Sequence, residues 1–230
     1  MTRERLLLAA FGLALAGDLG SLLAGFTPGH VVCKPLLMPL LAAYAVCVWR
    51  AASGPDAGRV PPLLVAALLF GLGGDALLLL DAEPAFLGGM ASFAAGHVCY
   101  LLLFQRYGTA RPYALVLGLG YGAALAGTVA LLWADLPAEL RIPVAGYSLL
   151  LTAMAFRAGR LGLAAGLGGA LFLLSDTLIA TGIAEWPQLP RPDFWIMLTY
   201  AAAQFLLTRG VLAARPAPEA EREPEARTAA

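Results

Sequence analysis

The chain has 230 residues, of which 60% are hydrophobic and 13% are charged, and its formal net charge is zero. Soluble domains are about half apolar and about a quarter charged, so this composition argues against a soluble domain and favours a membrane protein. The balanced charge does not suggest a nucleic-acid partner, and the three cysteines, all inside apolar runs, lack the spacing of a disulfide or zinc framework.

Eight apolar segments follow one another along the chain, each close to the roughly 20 residues that a membrane-spanning helix needs. They are predicted at about 6–26, 31–49, 60–80, 85–105, 113–133, 138–156, 162–183 and 193–213. The first begins after basic residues, as a signal peptide does, but its apolar part is too long and contains Asp18. We predict an all-α membrane domain of eight helices over 1–213 and a disordered tail, rich in Pro, Glu and Arg, over 214–230.

The charges between these helices predict the orientation of the domain. With eight crossings, both termini and every second loop share one side, which carries 12 of the 15 Lys and Arg residues. The other side carries only Lys34, Arg141 and Arg191. Loops rich in Lys and Arg stay in the cytoplasm, so both termini are predicted to be cytoplasmic. In a bacterium the membrane would be the cytoplasmic (inner) membrane.

The two halves of the chain resemble each other. The segment "GDALLLL" in helix 3 and the segment "SDTLIAT" in helix 7 align Asp75 with Asp176, and the preceding helices align Lys34 with Arg141. Four helices separate each pair, so the halves point the same way, which predicts a parallel four-plus-four repeat. Chance similarity between segments rich in Ala, Leu and Gly is the alternative.

Five ionisable side chains lie inside the predicted spans: Asp18, Lys34, Asp75, His97 and Asp176. A charge at the bilayer centre costs roughly 3 kcal/mol on insertion scales, and such residues usually face a bundle interior or a wet cavity. All five fall between the midplane and the outer surface, which predicts that they converge on one cavity. The polar residues Tyr147, Tyr200 and Gln204 extend the set. A structural role is the alternative for each, including an outward-snorkelling Lys34 and packing for the tyrosines.

Helix 4 contains the segment "FAAGHVCY", whose spacing places Phe93, His97 and Tyr100 on one face. Gly96 beside His97 leaves room for a ligand or a neighbouring helix. The glycines of "FGLGGDALLLL" in helix 3 likewise let another backbone approach closely.

The sequence contains no pattern typical of a catalytic zinc site or of a serine hydrolase. Catalytic zinc usually has three protein ligands, mostly His, whereas the chain has two histidines, and His30 is placed in the outer loop "TPGH". No ligand spacing recruits Cys33 or Cys99, and no Gly-x-Ser-x-Gly elbow is present. We predict no metal and no other cofactor.

Four segments together resemble the YhhN-like family of membrane proteins, the lysoplasmalogenases: "CKPLLMPLL" in helix 2, "FGLGGDALLLL" in helix 3, "FAAGHVCY" in helix 4 and "LFLLSDTLIA" in helix 7. The resemblance covers about residues 6–212. It implies a membrane hydrolase that cleaves the vinyl ether bond of lysoplasmalogens. The products would be a fatty aldehyde and glycerophosphoethanolamine or glycerophosphocholine. A lysophospholipid substrate and the bilayer are then the expected partners.

This chemistry yields a hypothesis for the site. Vinyl ether hydrolysis requires protonation of the β-carbon and capture of an oxocarbenium ion by water, demands that parallel glycoside hydrolysis. Asp75 and Asp176 would act as acid and as base or stabiliser, in an order left open, with His97 orienting water or shuttling the proton. Lys34 would hold the lipid phosphate as a point charge. The other predicted substrate-binding residues are Asp18, Tyr100, Tyr200 and Gln204.

Three other functions stay open: a transporter with paired midplane carboxylates, a hydrolase of another lysolipid, and a non-catalytic lipid-binding protein. A carrier should show polar access from both sides of the membrane, whereas the polar groups here fall on one side.

Overall fold

A computed structural model describes residues 2–53, 60–109 and 114–214. Over these ranges the chain is all-α, as predicted, with eight α-helices and a short 3₁₀ turn at Gly159–Leu161. The helices are α1 Arg3–Ala24, α2 Thr27–Ser53, α3 Pro62–Leu77, α4 Glu83–Tyr107, α5 Ala114–Leu132, α6 Ala138–Ala158, α7 Leu163–Ile183 and α8 Pro192–Ala213. The predicted tail lies, apart from Ala214, outside the described residues.

The lengths and the outer surface of these helices suit a membrane. Within the described ranges, seven of them are long and apolar enough to cross a bilayer. The exception is α3, whose 16 residues extend about 24 Å, against a hydrocarbon core of about 30 Å. Large apolar side chains cover the outside of the bundle, and Leu13, Leu115 and Leu163 are 74–80% exposed. Lipid-facing positions account for this exposure, and the predicted membrane bundle is confirmed.

The third helix ends earlier than the predicted range 60–80. After Leu77 the α-helix is followed by a tight turn, in which the backbone N–H of Leu80 donates to the Leu77 carbonyl at 3.0 Å. Asp75 therefore lies in the last turn of α3.

A tight turn at Gly25 joins α1 to α2. Gly25 has a φ of 68°, a left-handed conformation that glycine adopts without steric cost, and the following N–H bonds to the Ser21 carbonyl at 2.8 Å. Because α2 begins at Thr27, His30 lies in its first turn and the prediction of a loop position is wrong. The hairpin brings His30 beside Asp18.

Glycines set the close spacing of neighbouring helices. A Cβ on Gly96 would lie 3.2 Å from the Ala67 carbonyl oxygen of α3, and a Cβ on Gly168 would lie 3.0 Å from the Ala203 carbonyl oxygen of α8. At Gly96 a neighbouring helix, one of the two predicted occupants, fills the space, whereas the atoms nearest to the Cβ positions of the α3 glycines Gly71, Gly73 and Gly74 belong to side chains and not to another backbone. α5 differs, because it packs only sparsely on α6 and α7 and most of its side chains face outward.

Gly74 in α3 tests this packing directly. A Cβ there would lie 2.5–2.7 Å from three ring atoms of Phe93, and edge contacts with Phe172 and Tyr200 hold that ring in place. We expect Gly74→Ala to lower stability in detergent by about 1–3 kcal/mol, as overpacking does. Gly120→Ala in α5 is the matched control, because nothing lies within 4 Å of its Cβ position. Equal unfolding midpoints for the two variants would contradict the tight contact at Gly74.

Candidate functional site

The first of two polar clusters surrounds Asp75 and is called the Asp75 cluster: Lys34, Asp75, Tyr100, Tyr200 and Gln204. Lys34 Nζ lies 4.0 Å from Asp75 Oδ1, and the Tyr200 hydroxyl donates to Asp75 Oδ2 at 2.9 Å. Gln204 Nε2 donates to the Tyr200 oxygen at 3.4 Å, and Gln204 Oε1 accepts from the Tyr100 hydroxyl at 2.7 Å. All five side chains are buried. The cluster thus ties together α2, α3, α4 and α8.

Asp18 pairs with His30. The His30 Nδ1 donates to Asp18 Oδ1 at 2.7 Å, and Asp18 is fully buried. Its other oxygen, Oδ2, has no hydrogen-bond partner among the described residues. Sequence reasoning missed this pair, although the two residues stand at similar distances from the turn at Gly25, where an antiparallel hairpin places them side by side.

The second cluster, called the Asp176 cluster, consists of His97, Tyr147 and Asp176. The Tyr147 hydroxyl donates to Asp176 Oδ2, and His97 Nε2 lies 3.0 Å from the same hydroxyl oxygen. Because the hydroxyl hydrogen points to the carboxyl, His97 Nε2 carries a hydrogen in this arrangement and its Nδ1 is an acceptor. That Nδ1 has no partner in the described part of the chain. Tyr147 and Asp176 stand at similar distances from the turn 159–162. An antiparallel pairing of α6 with α7 would therefore have predicted that these two residues lie side by side.

Aromatic side chains separate the two clusters. The Phe172 ring lies 4.7 Å from the His97 ring and 5.4 Å from the Tyr200 ring, measured between centroids. Within the residues described, no hydrogen bond joins one cluster to the other. The two clusters therefore have separate hydrogen-bond networks.

The Asp176 cluster opens onto a cavity. This cavity, of about 390 Å³, lies among α4, α5, α6, α7 and the turn after α3, and Tyr147 and Asp176 are part of its wall. Both side chains are half-buried. At one end the wall is apolar and includes Leu78, Phe86 and Ile183. At the other end it includes Tyr121, Leu151, Thr152 and Ala170.

The predicted site residues therefore divide into a group that reaches the cavity and a group that does not. Asp176 reaches it directly, and His97 stands behind Tyr147. The remaining predicted residues, which are Asp18, Lys34, Asp75, Tyr100, Tyr200 and Gln204, do not line this cavity. The expectation that all five ionisable groups converge on one cavity is wrong. Helix rotation decides the outcome, since it directs Asp75 towards α2 and α8 and Asp176 towards α6 and the cavity.

The two clusters have related surroundings. Asp75 lies between Lys34 of α2 and Tyr200 of α8. Asp176 accepts a hydrogen bond from Tyr147 of α6, and His97 of α4 contacts the same tyrosine hydroxyl. These helices correspond under the predicted repeat, in which α2 matches α6 and α8 matches α4. Arg141, which was aligned with Lys34, instead donates to two backbone carbonyls of the loop before α6. The four-plus-four repeat stays a prediction.

No group of three or more His, Cys, Asp or Glu side chains within residues 2–53, 60–109 and 114–214 is arranged to hold a metal ion. The prediction that the chain uses no metal stays a prediction.

Comparison with known proteins places this architecture in a family. The model of the YhhN family matches residues 29–211, a range that contains both clusters and the cavity. The chain belongs to the YhhN family.

Several proteins that are similar to this chain are named lysoplasmalogenases. Lysoplasmalogenase TMEM86B of Homo sapiens is 37% identical over 155 residues, which are 67% of this chain and 66% of the relative. Lysoplasmalogenase TMEM86B of Sus scrofa is 39% identical over 64% of this chain and 62% of the relative. A lysoplasmalogenase of Mycobacterium tuberculosis is 31% identical over 201 residues, 83% of this chain and 75% of the relative.

The match spans slightly less than two thirds of the length of the human and pig relatives. No solved structure matches this chain.

Proposed function

We propose that this chain is a membrane hydrolase that cleaves the vinyl ether bond of lysoplasmalogens, releasing a fatty aldehyde and a glycerophospho-headgroup. The observation that supports this proposal most strongly is that the carboxyl group of Asp176 opens onto a largely apolar cavity, inside a bundle whose outer surface faces lipid. The named relatives supply the substrate class. The proposed membrane is the cytoplasmic membrane if the host is bacterial, with both termini cytoplasmic.

The cavity suits a single lipid chain. Its volume of about 390 Å³ lies in the range of roughly 300–1,000 Å³ found for small-molecule sites, which are mainly apolar with a few placed polar groups. The apolar end at Leu78, Phe86 and Ile183 would receive the alkenyl chain. The reacting carbons would then lie beside Asp176 and Tyr147.

Asp176 is proposed as the acid. Its carboxyl proton is transferred to the β-carbon of the vinyl ether, and the carbon–carbon double bond becomes an oxocarbenium ion. The carboxylate left behind stabilises this cation and then accepts a proton from the water that attacks it, as a single carboxyl does in succession in retaining glycosidases. The hemiacetal so formed releases the glycerol oxygen as an alcohol and leaves the aldehyde.

Tyr147 and His97 would hold and resupply the proton. When Asp176 is ionised, the Tyr147 hydroxyl donates to it and His97 Nε2 donates to the hydroxyl oxygen. When Asp176 carries its proton on Oδ2, the hydrogen bonds reverse: the carboxyl donates to the Tyr147 oxygen, Tyr147 donates to His97 Nε2, and His97 carries its hydrogen on Nδ1. In this proposal one carboxyl group, that of Asp176, performs both the acid step and the base step, in place of the two carboxyl groups of the predicted mechanism. Asp75, buried against Lys34 and Tyr200, would act on the site electrostatically and through packing.

A turnover assay tests the proposal. Detergent-purified protein is incubated with a lysoplasmalogen, its 1-acyl ester analogue and its 1-O-alkyl analogue, and products are measured by mass spectrometry. We expect fatty aldehyde from the vinyl ether alone. Release of fatty acid from the ester without aldehyde would favour a hydrolase of another lysolipid. Binding of all three lipids without any product would overturn the enzymatic proposal and favour a carrier or a binding protein.

A further inference from the structure

We propose that Ser148 in α6 positions the water molecule that attacks the oxocarbenium ion, by accepting one hydrogen bond from this water while the Asp176 carboxylate accepts a second. Ser148 is thus a positioning residue, and its role rests on the proposed function. Three observations support the assignment: the place of Ser148 in the cavity wall, its unpaired hydroxyl and the short length of its side chain.

The Ser148 hydroxyl is a free hydrogen-bonding group in the cavity wall. It forms no hydrogen bond with any described residue, its side chain is half-buried, and its oxygen is not enclosed by the protein. Serine and threonine hydroxyls inside helices commonly bond to the carbonyl four residues earlier, as Thr177 does to Leu173 at 2.7 Å. Ser148 lacks this bond, so its hydroxyl is free to bond to a molecule in the cavity.

Asp176 offers a second free acceptor in the same wall. Its Oδ2 atom accepts the hydrogen bond from the Tyr147 hydroxyl. Its Oδ1 atom has no hydrogen-bond partner in the described part of the chain and, like the Ser148 oxygen, is not enclosed. Ser148 directly follows Tyr147 in α6, and all three residues line the cavity. A largely apolar cavity thus carries two free oxygen atoms beside the Tyr147 side chain.

The difference in side-chain length leaves a gap between these two acceptors. Tyr147 reaches across from α6 to bond to Asp176 in α7, and a serine side chain is much shorter than a tyrosine side chain. The Ser148 hydroxyl therefore stays close to α6, set back from the carboxyl group. A water molecule that bonds to two oxygen atoms, at about 2.8 Å from each, fits such a gap, and water-mediated hydrogen bonds are nearly as favourable as direct ones.

Water has the two hydrogens that this arrangement requires. Its oxygen forms the new bond to the cationic carbon, one hydrogen is transferred as a proton to the Asp176 carboxylate, and the second stays hydrogen-bonded to Ser148 Oγ. The product is the hemiacetal, and the carboxyl group regains the proton that it gave to the β-carbon. An alcohol can attack in the same way, but its single hydroxyl hydrogen goes to the carboxylate and none remains for Ser148. The serine therefore favours water over an alcohol as the nucleophile.

Thr128 in α5 provides a matched control. It also lines the cavity, and its hydroxyl forms no hydrogen bond with a described residue. Its helix packs sparsely on α6 and α7, whereas Ser148 is on the same helix as the tyrosine that bonds to Asp176. Ser148→Ala and Thr128→Val each remove one hydroxyl from the cavity, so a general change in polarity would affect both variants alike.

The test measures which nucleophile captures the cation. The purified protein in detergent is incubated with a lysoplasmalogen in buffer that contains methanol. Mass spectrometry then measures the fatty aldehyde, which results from capture by water, and the mixed methyl acetal, which results from capture by methanol. The initial products of acid-catalysed hydrolysis of the same lipid in the same mixture give the ratio without protein. The variants are Ser148→Ala, Ser148→Thr and Thr128→Val.

We expect the wild type, Ser148→Thr and Thr128→Val to favour aldehyde over acetal about fivefold more than the acid-catalysed reaction does, the effect of one hydrogen bond. Ser148→Ala should lose this preference. The proposal is overturned if Ser148→Ala keeps the wild-type ratio or if Thr128→Val shifts it equally. A wild-type ratio equal to that of the acid reaction also overturns it, a result that needs no variant to fold.

The same experiment separates this role from the proposed function. Aldehyde release with a ratio that Ser148→Ala leaves unchanged would count against the role of Ser148 alone. Absence of both aldehyde and acetal from the wild type would overturn the proposed function, and the role of Ser148 with it.

Discussion

Asp176→Asn is expected to lower aldehyde release by about 10²- to 10⁴-fold, the usual contribution of general acid–base catalysis. The asparagine amide is similar in size to the carboxyl, and its oxygen can still accept the hydrogen bond from Tyr147. The fold and the cavity should therefore be retained. The side chain has no proton to give to the β-carbon, so the loss should be in kcat rather than in lipid binding.

Asp75→Asn is the matched control for this experiment. It makes the same chemical change in the Asp75 cluster, where the amide oxygen can keep the hydrogen bond from Tyr200. Because Asp75 is 2% exposed and does not line the cavity, we expect a smaller loss of kcat than in Asp176→Asn. Equal losses in two folded variants would restore the two-carboxylate hypothesis. Near wild-type turnover by Asp176→Asn would remove the proposed acid.

Lys34→Met is expected to destabilise the bundle by about 3 kcal/mol, the lower end of the range for removal of one partner of a buried ion pair. Lys34 Nζ is the cation next to Asp75 Oδ1, at 4.0 Å, and both side chains are buried. The substitution keeps the length of the side chain but leaves the carboxylate with the Tyr200 hydroxyl as its hydrogen-bond donor. Unfolding in a series of detergent–SDS mixtures measures the change.

The double variant Lys34→Met/Asp75→Leu supplies the control. Replacement of both partners by apolar groups removes the uncompensated charge, so we expect much of the lost stability to return. If Lys34→Met alone is as stable as the wild type, then the ammonium group is not required to neutralise Asp75. In that case a carboxyl that is already protonated, with Tyr200 as its partner, would be the better description of the cluster.

The sequence by itself determined the all-α membrane bundle and which ionisable residues lie within its helices. Each helix is specified locally, because about 20 consecutive apolar residues are stable in a bilayer only with their backbone hydrogen bonds made within the helix. The eight predicted spans thus correspond to the eight observed helices of the described ranges. α3 ends early at the turn after Leu77, a local detail that hydrophobicity does not report.

Only the tertiary structure decided which polar residues meet. Asp75 and Asp176 have similar sequence surroundings, yet one is enclosed by Lys34 and Tyr200 and the other opens with Tyr147 onto the cavity. The partner of a side chain depends on the rotation of its helix about its own axis. That rotation results from the close packing of all the neighbouring helices and is not encoded in any single segment. For the same reason the cavity, which forms where α5 packs sparsely, was not visible in the sequence.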